Sequence, residues 1–279
     1  MRFEADHAEV RDAIERALKE DVGAGDITSA STIPAERKAT GRFFARQRLT
    51  LAGIELLPVI YEMRGGVDEL ELEAESGMVC HEGQCLAVVR GTARTLLECE
   101  RVALNFVQRL SGVATVARRF AEAVAGTGCR VLDTRKTTPG LRRLEKMAAA
   151  AGGVTNHRLG LWDAILIKNN HITAAGGVRA ALEGAFKTGL PVEIEVRTRS
   201  ELDEALEAGA RHLLLDNLTP EEAREWVGHV DGRATVELSG NITLANVRAY
   251  AETGADFVSS GAITHSAAAV DLNFRLEFD

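Results

Sequence analysis

Along this chain the spacing of apolar residues changes near residue 111. At the start, Val10, Ile14 and Leu18 recur every four residues within MRFEADHAEVRDAIERALKE, which predicts an amphipathic helix. The segments ATGRFFARQRLTLAG, DELELEAESG and CLAVVRG then alternate or cluster β-formers between glycines and predict a small sheet. Beyond residue 111 strand-like and helix-like segments take turns. VLDTRKT, AILIKNN, VEIEV, HLLLDN, ATVELSG and DFVSSGA are each short and apolar, and the last four start about 20 to 22 residues apart, the rhythm of βα units.

The helices between them carry start and stop signals. TPEEAREWV offers Thr219 as N-cap, Pro220 at the first helical position and Glu222 three residues after the cap. Gly209 and Gly254 end SELDEALEA and LANVRAYAET, where a left-handed residue is wanted. The pattern predicts a parallel α/β barrel. An open doubly wound sheet is the competitor, because spacing alone does not show closure.

With 279 residues, 46% hydrophobic and 27% charged, the chain reads as globular, with one large barrel or two domains. No apolar run approaches the roughly 18 to 20 residues of a membrane-spanning helix. The acids spread through the N-terminal helix contradict a signal or transit peptide, so a cytoplasmic protein is expected. Cys80, Cys85, Cys99 and Cys129 show neither a Cys-x-x-Cys pair nor a His at zinc-finger spacing, so they read as reduced and mostly buried.

Charge changes the picture. The net charge is -8, yet from Arg130 to Lys168 eight cations stand against three acids. Cations at that density repel one another unless an anion sits among them. A field so focused suits a small polyanion. Nucleic acid would call for a broad basic surface with interleaved aromatics, and aromatics are only 5%.

Parallel α/β barrels do their chemistry at the carboxyl ends of the strands. Here those ends are Asp133-Thr134-Arg135-Lys136, Lys168, Glu195, Asp216, Ser239-Gly240-Asn241 and Ser260-Gly261, cationic first, acidic next, small and glycine-bearing last. The two Ser-Gly ends suit a phosphate approached by backbone N–H groups. Glu195 and Asp216 suit Mg²⁺ or a sugar carbon that becomes positive, although Glu195 has Arg197 and Arg199 nearby as local partners. Glu193 shares a strand face with Glu195 and needs a partner if it points inward. LRRLEKMAAAA is helix-like, and Arg142, Arg143 and Lys146 read there as solvated charges. Arg101 lies on the stripe Leu97, Arg101, Leu104, Gln108 and wants a carboxylate, which Glu98 could supply.

The stretch DTRKTTPGLRRLEKMAAAAGGVTNHRLGLWDAILIKNNHI resembles the signature region of the quinolinate phosphoribosyltransferase family, and EDVGAGDIT, ERVALNFVQRLSGVAT, ELSGNIT and SSGAITHS resemble other parts of it. The resemblance covers nearly the whole chain. It implies an enzyme that joins quinolinate to phosphoribosyl pyrophosphate, with Mg²⁺, giving nicotinate mononucleotide, pyrophosphate and carbon dioxide in NAD biosynthesis. The implied fold is an N-terminal α/β sandwich, residues 1–111, and an incomplete seven-stranded barrel, residues 112–270. Six barrel strands are placed by pattern and the seventh is not. The alternation of Leu272, Phe274, Leu276 and Phe278 predicts that residues 271–279 return to the N-terminal sheet.

The resemblance also implies roles. Thr134, Arg135, Lys136, His157, Arg158 and Lys168 line the quinolinate pocket, and Arg101 reaches into it across a homodimer interface. Glu195 and Asp216 serve ribose and Mg²⁺, while Ser239, Gly240, Asn241, Ser260 and Gly261 serve phosphate. His171 is left between a supporting and a structural role. Two rivals come from other classes. A Schiff-base aldolase would use Lys168 as nucleophile, and a biotinyl- or lipoyl-carrier-like module would need a lysine at a hairpin tip, which residues 65–93 lack.

Overall fold

The computed structural model describes residues 3–278. It begins with α1 (Ala8–Val22), which buries Val10, Ala13, Ile14 and Leu18, the stripe its spacing predicts. Strands β1 (Lys38–Ala45), β2 (Glu69–Leu72) and β3 (Cys85–Thr92) follow, then the long helix α2 (Ala93–Ala123). Next come β4 (Arg130–Leu132), α3 (Arg142–Ala151), β5 (Ile165–Ile167) and α4 (Asn169–Ala175). Strands β6 (Val192–Val196) and β7 (His212–Asp216) precede α5 (Pro220–Val230), and β8 (Thr235–Ser239), β9 (Phe257–Ser259) and β10 (Leu272–Glu277) complete the order, with further helices between.

Packing divides the chain into two units. One runs to Arg118 and adds Thr138–Gly153 and the chain from Ser266; the other is Arg119–Thr137 with Val154–His265. Thus α3 groups with the sheet-bearing unit, although it falls within the stretch that the sequence pattern gives to the barrel. Its side chains explain this. Arg143 pairs with Glu9 of α1 at 3.0 Å, and Glu145 accepts from Arg109 of α2 at 2.7 Å. A Cβ on Gly152, just past α3, would lie 2.4 Å from the Ala114 carbonyl oxygen, so only glycine lets the two backbones approach so closely.

In the first unit the strand order is β10–β1–β3–β2, antiparallel throughout. Phe43 lies opposite Phe274, with ring centroids 4.8 Å apart. The Phe274 ring covers Gly41 so closely that a Cβ there would meet it at 2.2 Å.

In the second unit the order is β4–β9–β8–β7–β6–β5, all parallel. The first strand pairs with the last while the others follow sequence order, which is barrel connectivity and excludes the open doubly wound alternative. The strand that pattern reading leaves unplaced is a single parallel bridge from Thr155 to Leu132, on the free side of β4. The Thr155 amide donates to Val131 and the Asp133 amide donates to Thr155.

Alternation along the strands sorts the side chains. Ile194, Val196, Leu213, Leu215, Val236 and Leu238 are buried on one face. The opposite face carries Glu193, Glu195, Leu214, Asp216, Glu237 and Ser239. The α5 start is the expected capping box: Thr219 accepts from the Glu222 amide, and Glu222 accepts from the Thr219 amide at 2.8 Å. Gly209 and Gly254 adopt φ of 94° and 95°. All four cysteines are free, and burial pushes Cys99 and Cys129 up to about 12. No helix among the described residues is long and apolar enough to cross a membrane.

Candidate active site

The cationic rim starts at the end of β4. Asp133, fully buried, accepts from the His157 amide at 2.8 Å and from Asn156 Nδ2 at 2.6 Å, tying the strand end to residues 156–157. The Thr134 hydroxyl accepts the Lys136 amide at 3.0 Å, which turns the chain and sets Arg135 and Lys136 on the rim. Lys136 is exposed, and its side chain runs over Gly261, where a Cβ would meet Lys136 Cδ at 2.7 Å. The Thr264 hydroxyl holds the Lys136 carbonyl at 2.7 Å.

Arg135 and Arg158 carry the strongest signal. Arg158 donates to the Ala164 carbonyl at 3.0 Å, and burial, followed by the charge of Arg135, lowers its pKa. The buried Arg135 Nε has no hydrogen-bond partner, and its guanidinium pairs with no carboxylate among the described residues. Neighbouring guanidiniums of which one has no carboxylate partner are built for an anion that the protein does not supply.

The reading of Arg142, Arg143 and Lys146 as solvated helix charges needs correction. The segment is indeed helical, but Lys146 is fully buried and Arg143 is mostly covered and bound to Glu9. Glu145, also fully buried, holds Arg109 and accepts from the Thr138 hydroxyl at 2.7 Å. Two of the eight cations, Arg143 and Lys146, are thus internal framework.

Across the barrel mouth Glu195 is buried. Its Oε1 lies 3.1 Å from Arg197 Nη2 and its Oε2 lies 3.5 Å from Lys168 Nζ. Of the two local arginines, Arg197 is the one that pairs; Arg199 turns away to Glu225 and lies over the Trp226 ring. The Lys168 amide donates to His171 Nδ1 at 2.9 Å, so His171 caps α4 and fixes the backbone that carries Lys168.

Asp216 accepts from the Ser239 hydroxyl and from Asn217 Nδ2, the latter at 2.6 Å. Asn217 and Asn241 adopt left-handed φ of 60° and 52°, and Gly240 has φ of 95°, with room for a Cβ taken by Asn217 Oδ1. The buried Ser260 hydroxyl donates to the Ile242 carbonyl at 2.6 Å. The hydroxyls of Ser239 and Ser260 therefore brace the frame, and what these strand ends can offer an anion is backbone N–H at Gly240, Asn241 and Gly261.

Below the rim lies a cluster whose extent the sequence does not reveal. His157 Nε2 lies 3.2 Å from Glu193 Oε2 and 3.4 Å from Glu237 Oε2. The ligand atoms of these three groups all lie within 4.8 Å of one another. Burial alone would lower the His157 pKa, but the hydrogen bonds and charges of Glu193 and Glu237 outweigh it and push it up. Burial, opposed by His157 and reinforced by Glu237, raises Glu193. Glu193 answers its need for a partner here. Glu237 is a residue that sequence reading missed; its only signal is a lone acid in the otherwise apolar TVEL, on the same strand parity as Glu193.

Arg101 belongs to the other unit and is exposed on α2. Glu98, its local candidate partner, is taken by Arg64 at 2.5 Å.

The comparisons with known proteins agree throughout the chain. Family models match as the quinolinate phosphoribosyl transferase N-terminal domain over residues 26–111 and the C-terminal domain over residues 113–275. The nicotinate-nucleotide pyrophosphorylase [carboxylating] of Mycobacterium leprae is 41% identical over 95% of this chain and 96% of its own. The probable enzyme of that name from Bacillus subtilis is 36% identical over 96% of this chain and 93% of its own. The solved nicotinate-nucleotide pyrophosphorylase of Francisella tularensis superposes with a TM-score of 0.92 at 34% identity, covering 99% of this chain and 98% of that one. With both domains matched in order, the chain belongs to the quinolinate phosphoribosyltransferase family.

Proposed function

We propose that this site divides its family's reaction between the cationic rim and the acidic one. The reaction takes quinolinate and phosphoribosyl pyrophosphate to nicotinate mononucleotide, pyrophosphate and carbon dioxide. The observation that carries the reading is the Arg135–Arg158 pair, in which Arg135 has no carboxylate partner among the described residues. Quinolinate is a planar dianion with adjacent carboxylates, and two guanidinium forks match it, with Thr134, Lys136 and Lys168 at the edges.

Glu195 and Asp216 face the sugar. As the bond to pyrophosphate lengthens, the ribose carbon becomes positive, and fixed carboxylates stabilise it without reorganising. The ring nitrogen of quinolinate, held in line, attacks that carbon. The ring nitrogen is then cationic, so the bond from the adjacent ring carbon to its carboxylate breaks, carbon dioxide leaves, and the carbanion beside the positive nitrogen takes a proton. Amides at Gly240, Asn241 and Gly261 receive phosphate oxygens.

For Mg²⁺ the donor set fits on one side. Asp216 is half-buried at the barrel mouth, with its two oxygens fixed by Ser239 and Asn217 and lone pairs to spare, and Mg²⁺ is commonly held by one or two carboxylates plus phosphate oxygens. Glu195, with Arg197 and Lys168 on its oxygens, suits ribose better. When bound, the ion would neutralise charge on the departing pyrophosphate.

Arg101 supports a homodimer with a shared site, because it is exposed while its local acid is already committed. The cytoplasm is the corresponding proposal for location. The discriminating experiment offers quinolinate and nicotinate to the enzyme and follows pyrophosphate and carbon dioxide together. Quinolinate should be much the better substrate, since nicotinate lacks one of the two carboxylates; equal catalytic efficiency would sink the reading.

A further inference from the structure

The reaction as divided above gives Glu193 and Glu237 nothing to do, yet they converge on one nitrogen of His157. The other nitrogen, Nδ1, accepts the Arg158 amide at 2.7 Å. A ring nitrogen that accepts an N–H carries no proton itself, so the ring proton sits on Nε2, between the two carboxylates. This argues against a metal centre here. A ligating imidazole gives one nitrogen to the ion and donates through the other, whereas here the other accepts. It also argues against His157 as a direct ligand of quinolinate, since both nitrogens are engaged within the protein.

The two glutamates favour a charged ring, but the Arg158 amide at Nδ1 opposes it. Protonating Nδ1 would set two N–H groups face to face, so the ring keeps its single proton on Nε2.

We propose that Glu193 and Glu237 are positioning residues for the anion site, holding His157 in its Nε2–H tautomer so that Nδ1 fixes the Arg158 backbone and aims its guanidinium. The proposal rests on the reading of Arg135 and Arg158 as the quinolinate site. The segment on either side of Arg158 is anchored as such an aiming device requires. Asp133 holds Asn156 and the His157 amide before it. After it, Asp163 accepts the Leu159 and Gly160 amides at 2.7 and 3.0 Å, and the Ala164 carbonyl accepts from the guanidinium.

The test compares Glu237→Gln with Glu237→Leu, because Gln keeps an oxygen that can accept the Nε2 proton and Leu does not. Glu237→Gln should keep the quinolinate KM within about threefold, while Glu237→Leu should raise it about tenfold or more, with the phosphoribosyl pyrophosphate KM little changed. On the wild-type protein, nitrogen NMR of labelled histidine at neutral pH should show His157 protonated on Nε2 alone, with quinolinate and without it. A doubly protonated ring, a Gln variant as impaired as the Leu variant, or a Leu variant with normal KM would each overturn the proposal. Arg158→Ala is the separate control. If it leaves quinolinate binding intact, the reading of the site fails, whatever the glutamates do.

Discussion

Replacing Glu195 by Gln separates binding from chemistry in a direction that intuition about active-site acids does not suggest. Glu195 Oε2 lies 3.5 Å from Lys168 Nζ, a lysine whose side chain is 53% exposed. Removing the carboxylate charge frees Lys168 for an incoming anion and deletes a repulsion felt by quinolinate. With a water-like dielectric, as the exposure demands, a charge pair at that distance is worth about 1 kcal/mol. Quinolinate should therefore bind Glu195→Gln as well as wild type or up to about fivefold tighter. Turnover should move the other way, falling about tens- to thousands-fold, because a fixed charge beside the developing sugar cation typically contributes about 2 to 4 kcal/mol. Titration calorimetry with quinolinate alone gives the first quantity, and steady-state release of pyrophosphate the second. Tenfold weaker quinolinate binding with normal turnover would place Glu195 among the quinolinate ligands and refute the division between the rims.

Three further expectations follow from other contacts. Arg101→Ala and Lys168→Ala should each nearly abolish activity, yet co-refolded mixtures should recover about a quarter of it, since half the dimers would carry one intact site; inert heterodimers, shown to have formed, would put both residues in one subunit's site. Gly261→Ala places a Cβ 2.7 Å from Lys136 Cδ and 2.9 Å from His265 Cδ2 and should lower kcat/KM about tenfold without a large change in Tm; the effect should shrink in a Lys136→Ala background, and an undiminished effect there would assign it to the His265 contact instead. Gly41→Ala should cost about 1 to 3 kcal/mol of stability by denaturant unfolding, since its Cβ would meet Phe274 at 2.2 Å; trimming the ring with Phe274→Leu should relieve part of that, and an unchanged midpoint for Gly41→Ala would show that β10 shifts without cost.

The barrel was legible because its strands are apolar runs whose ends change to charge, and the charges fall where parallel strands place them. Three things were not. The strand at Thr155 is one residue of pairing between Gly153 and Asn156, with no apolar run to announce it. The allegiance of α3 turns on distant partners, Glu9 and Arg109, that no local pattern reveals. The His157 cluster draws on strands separated by β7, so Glu237 looks like an isolated strand acid until it is seen to share His157 with Glu193. Local competition was legible only in part: the sequence offered Arg197 and Arg199 to Glu195, and only the fold sends Arg199 to Glu225 and Trp226.

The pairing of β1 with β10 sets a timetable for biosynthesis. On the ribosome β1 emerges early and soon has β3 as a neighbour, but its other edge waits for residues 272–277, made after every barrel strand. The barrel strands all precede β10, so that unit can close while Phe43 still lacks the ring that will cover Gly41. Throughout that interval the nascent chain carries an unpaired strand edge beside exposed aromatic surface, the combination that recruits chaperones or other nascent chains. A ribosome stalled late in the message would thus damage the part of the protein made first.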